Sequence, residues 1–185
     1  MNAPGVRSLS LGEHYCEICP SGARIAGNGE VHVITPDGII YCAPWLILHY
    51  IEDHGYVPPA EFVDGLLGDL PYSWNATSEH LCRVLLDDSL SPGWRVDAAI
   101  DLAGWQDDRV YGALLDASRD AELVDVSAME IGVSLAVLWG RAGKVNFEIY
   151  KSALPQVQWG VYREVWSRNP DLAVDLSRPP EGFDF

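Results

Sequence analysis

Two short apolar runs, 30–35 and 39–43, are rich in β-branched and aromatic residues and are parted by Pro36-Asp37-Gly38. That pattern predicts a β-hairpin. Pro44 stands where a helix can begin, "WLILHYIEDH" follows it, and Gly55 supplies the C-terminal stop. A second short helix is expected in "AEFVDGLLG", with Pro59 near its first turn and Glu61 suited to the positive end of the helix dipole. From about Thr77 the apolar positions take up a helical period: Val96, Ala99, Ile100 and Ala103 share one face, as do Val110, Ala113, Leu114 and Ala117. The predicted helices are 77–87, 94–104, 108–119, 125–140, 146–153 and 155–168. Residues 1–13 read as a loose lead-in, and the Pro-rich, acidic tail 169–185 as a loose end.

The helical stretch repeats weakly. "AIDLAGW" (99–105) superposes on "GVSLAVLW" (132–139) at a period of about 33, and a second helix with a similar face follows each. Paired antiparallel helices at such a period are the sequence form of an α-solenoid. The segment "WRVDAAIDLAGWQDDRVYGALLDASRDAELVDV" resembles HEAT-like repeats, with its alanine pairs, an Asp-x-Arg-Val helix start and Asp120 in the next turn. The resemblance spans roughly 77–168 and leaves room for only about two and a half repeats, which implies a cap. The expected fold is mainly α: a β-hairpin and helix module over 1–68, HEAT-like repeats over 69–168 and a tail over 169–185.

Charge narrows the partners. The chain carries 12 basic and 27 acidic residues, a net charge of −15. Up to residue 65 there are 2 basic and 8 acidic residues, and beyond it 10 and 19, so neither half is a basic module. Nucleic-acid affinity rests on neutralising phosphates, which makes DNA or RNA an unlikely main partner. The run Ile39–Ile51 is broken by Pro44 and His49, so no membrane span is expected there. "MNAPGVRSLSLGEHY" lacks the features of a signal peptide, and a cytoplasmic location is the simplest expectation.

In a reducing compartment, closely spaced cysteines suggest metal ligands or catalysis rather than disulfides. Cys16 and Cys19 form C-x2-C before the hairpin, and His49 and His54 form H-x4-H on the helix after it. Order and element type follow a ββα zinc finger, although 29 residues separate Cys19 from His49 where about twelve is usual for the finger. A small hairpin and helix have little core, so a structural Zn2+ on Cys16, Cys19, His49 and His54 is expected. Residues five apart lie about 140° apart on an ideal helix, so the last turn must tighten or unwind, which Gly55 permits. Cys42 is the alternative ligand in place of one histidine, and a chain without metal is the other alternative. A redox C-x-x-C fits poorly, because Pro20-Ser21-Gly22 follows where a helix should begin. Cys82 reads as a buried apolar residue, and His14, His32 and His80 as surface or hydrogen-bonded ones.

"YCAPWLILHYIEDHGYVPPAEFVDGLL" resembles a motif of small bacterial proteins of no known activity, here Tyr41, Ala43-Pro44, His49-Tyr50, His54 with Tyr56, Pro58-Pro59 and Glu61-Phe62. The resemblance implies that both histidines belong to one module. No nucleophile elbow, Walker loop, H-E-x-x-H or dinucleotide fingerprint is present. The expected function is therefore non-catalytic: a protein–protein interaction module whose acidic turns, at Asp87, Asp88, Asp107, Asp108 and Asp120, meet a basic partner. Small acidic bacterial proteins of this build look like immunity proteins that neutralise a toxin. The alternatives are a zinc-dependent nucleic-acid-binding regulator and, behind it, a zinc enzyme using Glu52 or Asp53 as base.

Overall fold

The computed structural model describes residues 6–8, 13–20, 24–68, 71–176 and 180. Start of the second expected domain, at 69 and 70, lies outside them, as does part of the tail. The chain divides into two compact units, Met1–Tyr72 and Ser73–Phe185.

In the first unit, strands β1 (Val6–Ser8), β4 (Glu30–Ile34) and β5 (Ile40–Pro44) form an antiparallel sheet in the order β1-β4-β5, while β2 (His14–Tyr15) and β3 (Ala26–Gly27) pair separately. The β4–β5 hairpin has the expected turn. Gly38 takes a positive φ of 86°, its N–H donates to Thr35 O at 2.8 Å, and Thr35 N–H donates to Ile39 O at 2.9 Å. Helix α1 covers Ile47–His54 and α2 covers Ala60–Leu67. One face of the sheet packs on α2: Val33, Ala43 and Phe62 are buried together, with Val31, Tyr41, Ile47 and Leu66 around them. The Tyr41 and Phe62 rings meet edge-on at 6.3 Å. Ile34 and Leu46 are buried in this unit as well, and Val33 and Phe62 contribute about 1.5–3 kcal/mol each, a small core for a unit of this length.

Strand β1 departs from the sequence reading, which made 1–13 a loose lead-in. Val6 pairs with His32 and Ser8 with Glu30. Three residues cannot show a periodicity of their own, and the pairing comes from the edge that β4 offers.

The second unit contains α3 (Ala76–Leu86), α4 (Pro92–Leu102), α5 (Asp108–Ala117), α6 (Ala121–Arg141), α7 (Phe147–Ser152), α8 (Pro155–Arg168) and a short 3-10 helix, Pro170–Asp175. Each start has a local cause. Asn75 and Ser78 form a capping box for α3, Pro92 opens α4 at N1, and Asp107, Asp120 and Asn146 cap α5, α6 and α7. Helix α6 begins four residues before the expected 125 because Asp120 accepts from Glu122 and Leu123 N–H, and it is interrupted at Ser127 (φ −155°, ψ 46°).

Helix α3 packs on α4 and α5, α6 packs on α4, α5 and α8, and the 3-10 helix returns onto α8. Two glycines permit the α6–α8 crossing. A Cβ at Gly132 would lie 2.2 Å from Val157 O, and one at Gly160 would lie 2.1 Å from Met129 O, so the two backbones touch. By length and composition α6 could cross a membrane, but half of its most apolar window is buried inside the protein.

Candidate metal centre

The C-x2-C pair is carried by the β2–β3 hairpin. His14 pairs with Gly27 and Tyr15 with Ala26, and Cys16 N–H continues the ladder by donating to Ile25 O at 3.0 Å. Cys16 therefore leaves the strand end in a fixed direction, and the bend over 17–19 brings Cys19 round beside it. Pro20 is described, but Ser21 and Gly22 are not.

Helix α1 supplies the histidines and buries none of its own residues. Its last turn opens: Gly55, at φ 65°, donates its N–H to Tyr50 O five residues back, and Tyr56 N–H reaches the same oxygen at 3.0 Å. Although positions five apart on an ideal helix differ by about 140°, His49 and His54 meet edge-to-face, with ring centroids 4.8 Å apart.

The four donors converge. Cys16 Sγ lies 3.2 Å from His54 Nε2, Cys19 Sγ lies 3.3 Å from His49 Nε2 and 3.4 Å from His54 Nε2, and the two Nε2 atoms are 3.2 Å apart. All four atoms lie within 4.8 Å of one another. A tetrahedral ion with bonds of about 2.0–2.3 Å has ligand–ligand edges of roughly 3.3–3.8 Å, so the arrangement is compatible with a metal site. Cys16 is buried, and the other three are half-buried.

Supporting groups orient the donors. Asp53 Oδ2 lies 2.7 Å from His49 Nδ1, one turn along the helix, so Nδ1 carries the proton and Nε2 is left to face the centre. Asp53, considered above as a general base, here orients a candidate ligand. Tyr50 and His14 bond at 3.0 Å and tie α1 to the hairpin. Desolvation pushes the Cys16 thiol up, but the N–H groups of Cys19 and Ile18 together with His49 and Cys19 outweigh it and bring the pKa down to about 6. Cys19 is raised by desolvation and by its hydrogen bond to Cys16. His49 is raised by its hydrogen bond to Cys16 and, against desolvation, by Asp53.

Cys42, the alternative ligand, is exposed on β5 and falls in a separate cluster with Glu30 and His32. Cys82 is buried on α3, where desolvation pushes its thiol to about 11, as expected of an inert core cysteine. His14 and His80 are exposed and His32 is buried.

The five acidic residues expected at a partner surface have unlike roles. Asp120 caps α6 and also accepts from the buried Arg95, whose Nη2 lies 2.6 Å from Oδ2 and whose Nε reaches Leu85 O at 3.0 Å. Desolvation raises the Asp120 carboxyl, but Arg95 and the capped N–H groups bring it below its ordinary value. Asp107 caps α5 and holds Arg109 through two contacts, at 2.8 and 3.0 Å, which lowers it to about 2. Asp87 accepts from Ser89. Asp88 and Asp108 are exposed. No local signal marks the Arg95–Asp120 pair, whose members are 25 residues apart.

Residues 2–67 match a family described as Domain of unknown function (DUF7919), a match that ends before the helical unit. No curated protein and no solved structure matches the chain.

Proposed function

We propose that the chain is a non-catalytic protein-binding protein: a zinc-clasped N-terminal module followed by a short HEAT-like helical array whose acidic surface takes a basic protein partner. The observation that carries this reading is the donor set, two thiols and two imidazoles at tetrahedral separations. Four protein ligands close a zinc ion to substrate and make it a structural cross-link, where a catalytic zinc keeps one position open. Zinc suits a mixed sulfur and nitrogen set, and a thiol lowered to about 6 is ready to bind it at neutral pH.

For the array, α4 and α6, whose sequences superpose, pack on each other, and α3 packs on α5. Such layered stacking of successive helix pairs is what a solenoid requires. For the partner, the second unit has an excess of acidic residues, and Trp94 is 68% exposed on α4, the kind of aromatic anchor that binding surfaces use. A cavity of about 650 Å3 adds to this, with Tyr111, Trp139 and Phe147 in its wall and Asp107, Asp108 and Glu148 beside them. An immunity protein that captures a basic toxin would have this chemistry, by analogy of build and charge.

The test is crosslinking capture with the zinc-loaded chain at low salt, then the association rate of the purified partner between roughly 50 and 500 mM salt. A basic partner whose rate falls steeply with salt is expected. An acidic or neutral partner, or a rate indifferent to salt, contradicts the reading.

A further inference from the structure

The sheet of the N-terminal unit carries a second convergence of metal-binding chemistry that shares no residue with the four-donor centre. Register places His32 on β4 opposite Cys42 on β5. Glu30, two residues before His32, belongs to the same face of the strand. One donor atom from each of the three lies within 4.8 Å of the other two. His32 is only 5% exposed, whereas Glu30 and Cys42 are exposed, so a buried imidazole forms the base and the thiol and carboxylate stand at the solvent side.

The separations distinguish two chemistries. A nucleophilic relay with Cys42 attacking would set thiol and carboxylate on opposite nitrogens of the imidazole, well apart from each other. Here thiol and carboxylate are also mutual neighbours, so all three groups face one centre. His32 Nε2 and Glu30 Oε2 are 3.5 Å apart, close to the roughly 3.3–3.6 Å edge of a tetrahedral ion with bonds of about 2.0–2.2 Å. Hard ions such as Mg2+ and Ca2+ prefer all-oxygen sets, whereas sulfur, nitrogen and oxygen together suit zinc.

We propose that Glu30, His32 and Cys42 form a second zinc site with three protein ligands and a fourth position open to water. With one ligand fewer and a solvent-facing mouth, it binds more weakly than the four-donor centre. It does not depend on that centre, whose ion rests on Cys16 and not on Cys42.

Zinc titrated calorimetrically into the full chain, purified with whatever zinc it holds tightly, reads the site directly. Wild type takes up one further equivalent, and both Cys42→Ser and Glu30→Gln weaken it at least tenfold. Both positions are exposed, so the variants keep the fold, and elemental analysis before titration gives the same tightly held zinc as in wild type. The proposal is overturned if wild type takes up no further zinc or if both variants bind the further equivalent unchanged. Loss of the tight equivalent in Cys42→Ser also overturns it, because that places Cys42 in the four-donor centre.

Discussion

Asp53 and Asp120 both act through a neighbour, and their variants separate two kinds of cost. Asp53 fixes the tautomer and ring direction of His49 through its 2.7 Å contact with Nδ1. Replacing Asp53 with Ala is expected to lower zinc affinity about 10–100-fold, read by competition against a chelator; unchanged affinity would mean that His49 is oriented by other groups. Asp120→Ala leaves the 2%-exposed Arg95 side chain without its 2.6 Å carboxylate. With only the exposed Glu122 carboxylate left, 3.8 Å from Nη1, breaking this buried pair should cost up to roughly 3–5 kcal/mol, visible as a lower denaturation midpoint. Asp107 adds a pH-dependent component. Its folded pKa of about 2 lies below the ordinary 3.8, so the carboxylate stabilises the fold above about pH 4, and that contribution disappears as pH falls toward 2. Asp107→Asn keeps a capping oxygen but loses the charge. The variant should be less stable than wild type at neutral pH, with the gap closing between pH 4 and 2; a gap constant with pH would assign the effect to packing.

Helix α1 shows what holds the first unit together. It has eight residues, buries none of them, and is too short to persist alone in water, yet it carries both histidines. The hairpin that carries both cysteines has strands of two residues each. Helix α1 touches the small core at Ile47, a thin hold for either element, and a shared ion would join them. Cys16→Ser is therefore expected to remove hydrogen-exchange protection across 14–56 while the second unit keeps its own, since helix packing holds the latter. Loss spread evenly over both units would mean that they fold as one. Gly160→Ala tests the second unit, because the added carbon would sit 2.1 Å from Met129 O; overpacking of about 1–3 kcal/mol or more should lower its melting temperature. Both helix periods and the donor pairs were legible in the sequence because residue type alone carries them. Strand β1, the two-residue strands and the Ser127 interruption were not, since pairing and bends of that length are set by tertiary partners. Asp120 reads as an acidic turn until Arg95, 25 residues away, is seen beneath it.

Over the whole molecule, a charge of −15 sets a long-range field that salt screens beyond about 8 Å. The exposed Asp88 and Asp108 are better probes of that field than Asp107 or Asp120, whose carboxylates are occupied by Arg109 and Arg95. Reversing Asp88 and Asp108 to Lys should slow association with a basic partner more than it speeds dissociation; a change confined to dissociation would place them inside the interface. All of this presupposes that the first unit is clasped by its ion. Elemental analysis after dialysis against a mild chelator tests that claim most directly: one zinc retained per wild-type chain and none per Cys16→Ser chain is the expected result, and wild-type protein that retains none while melting at the same temperature before and after chelation would contradict it.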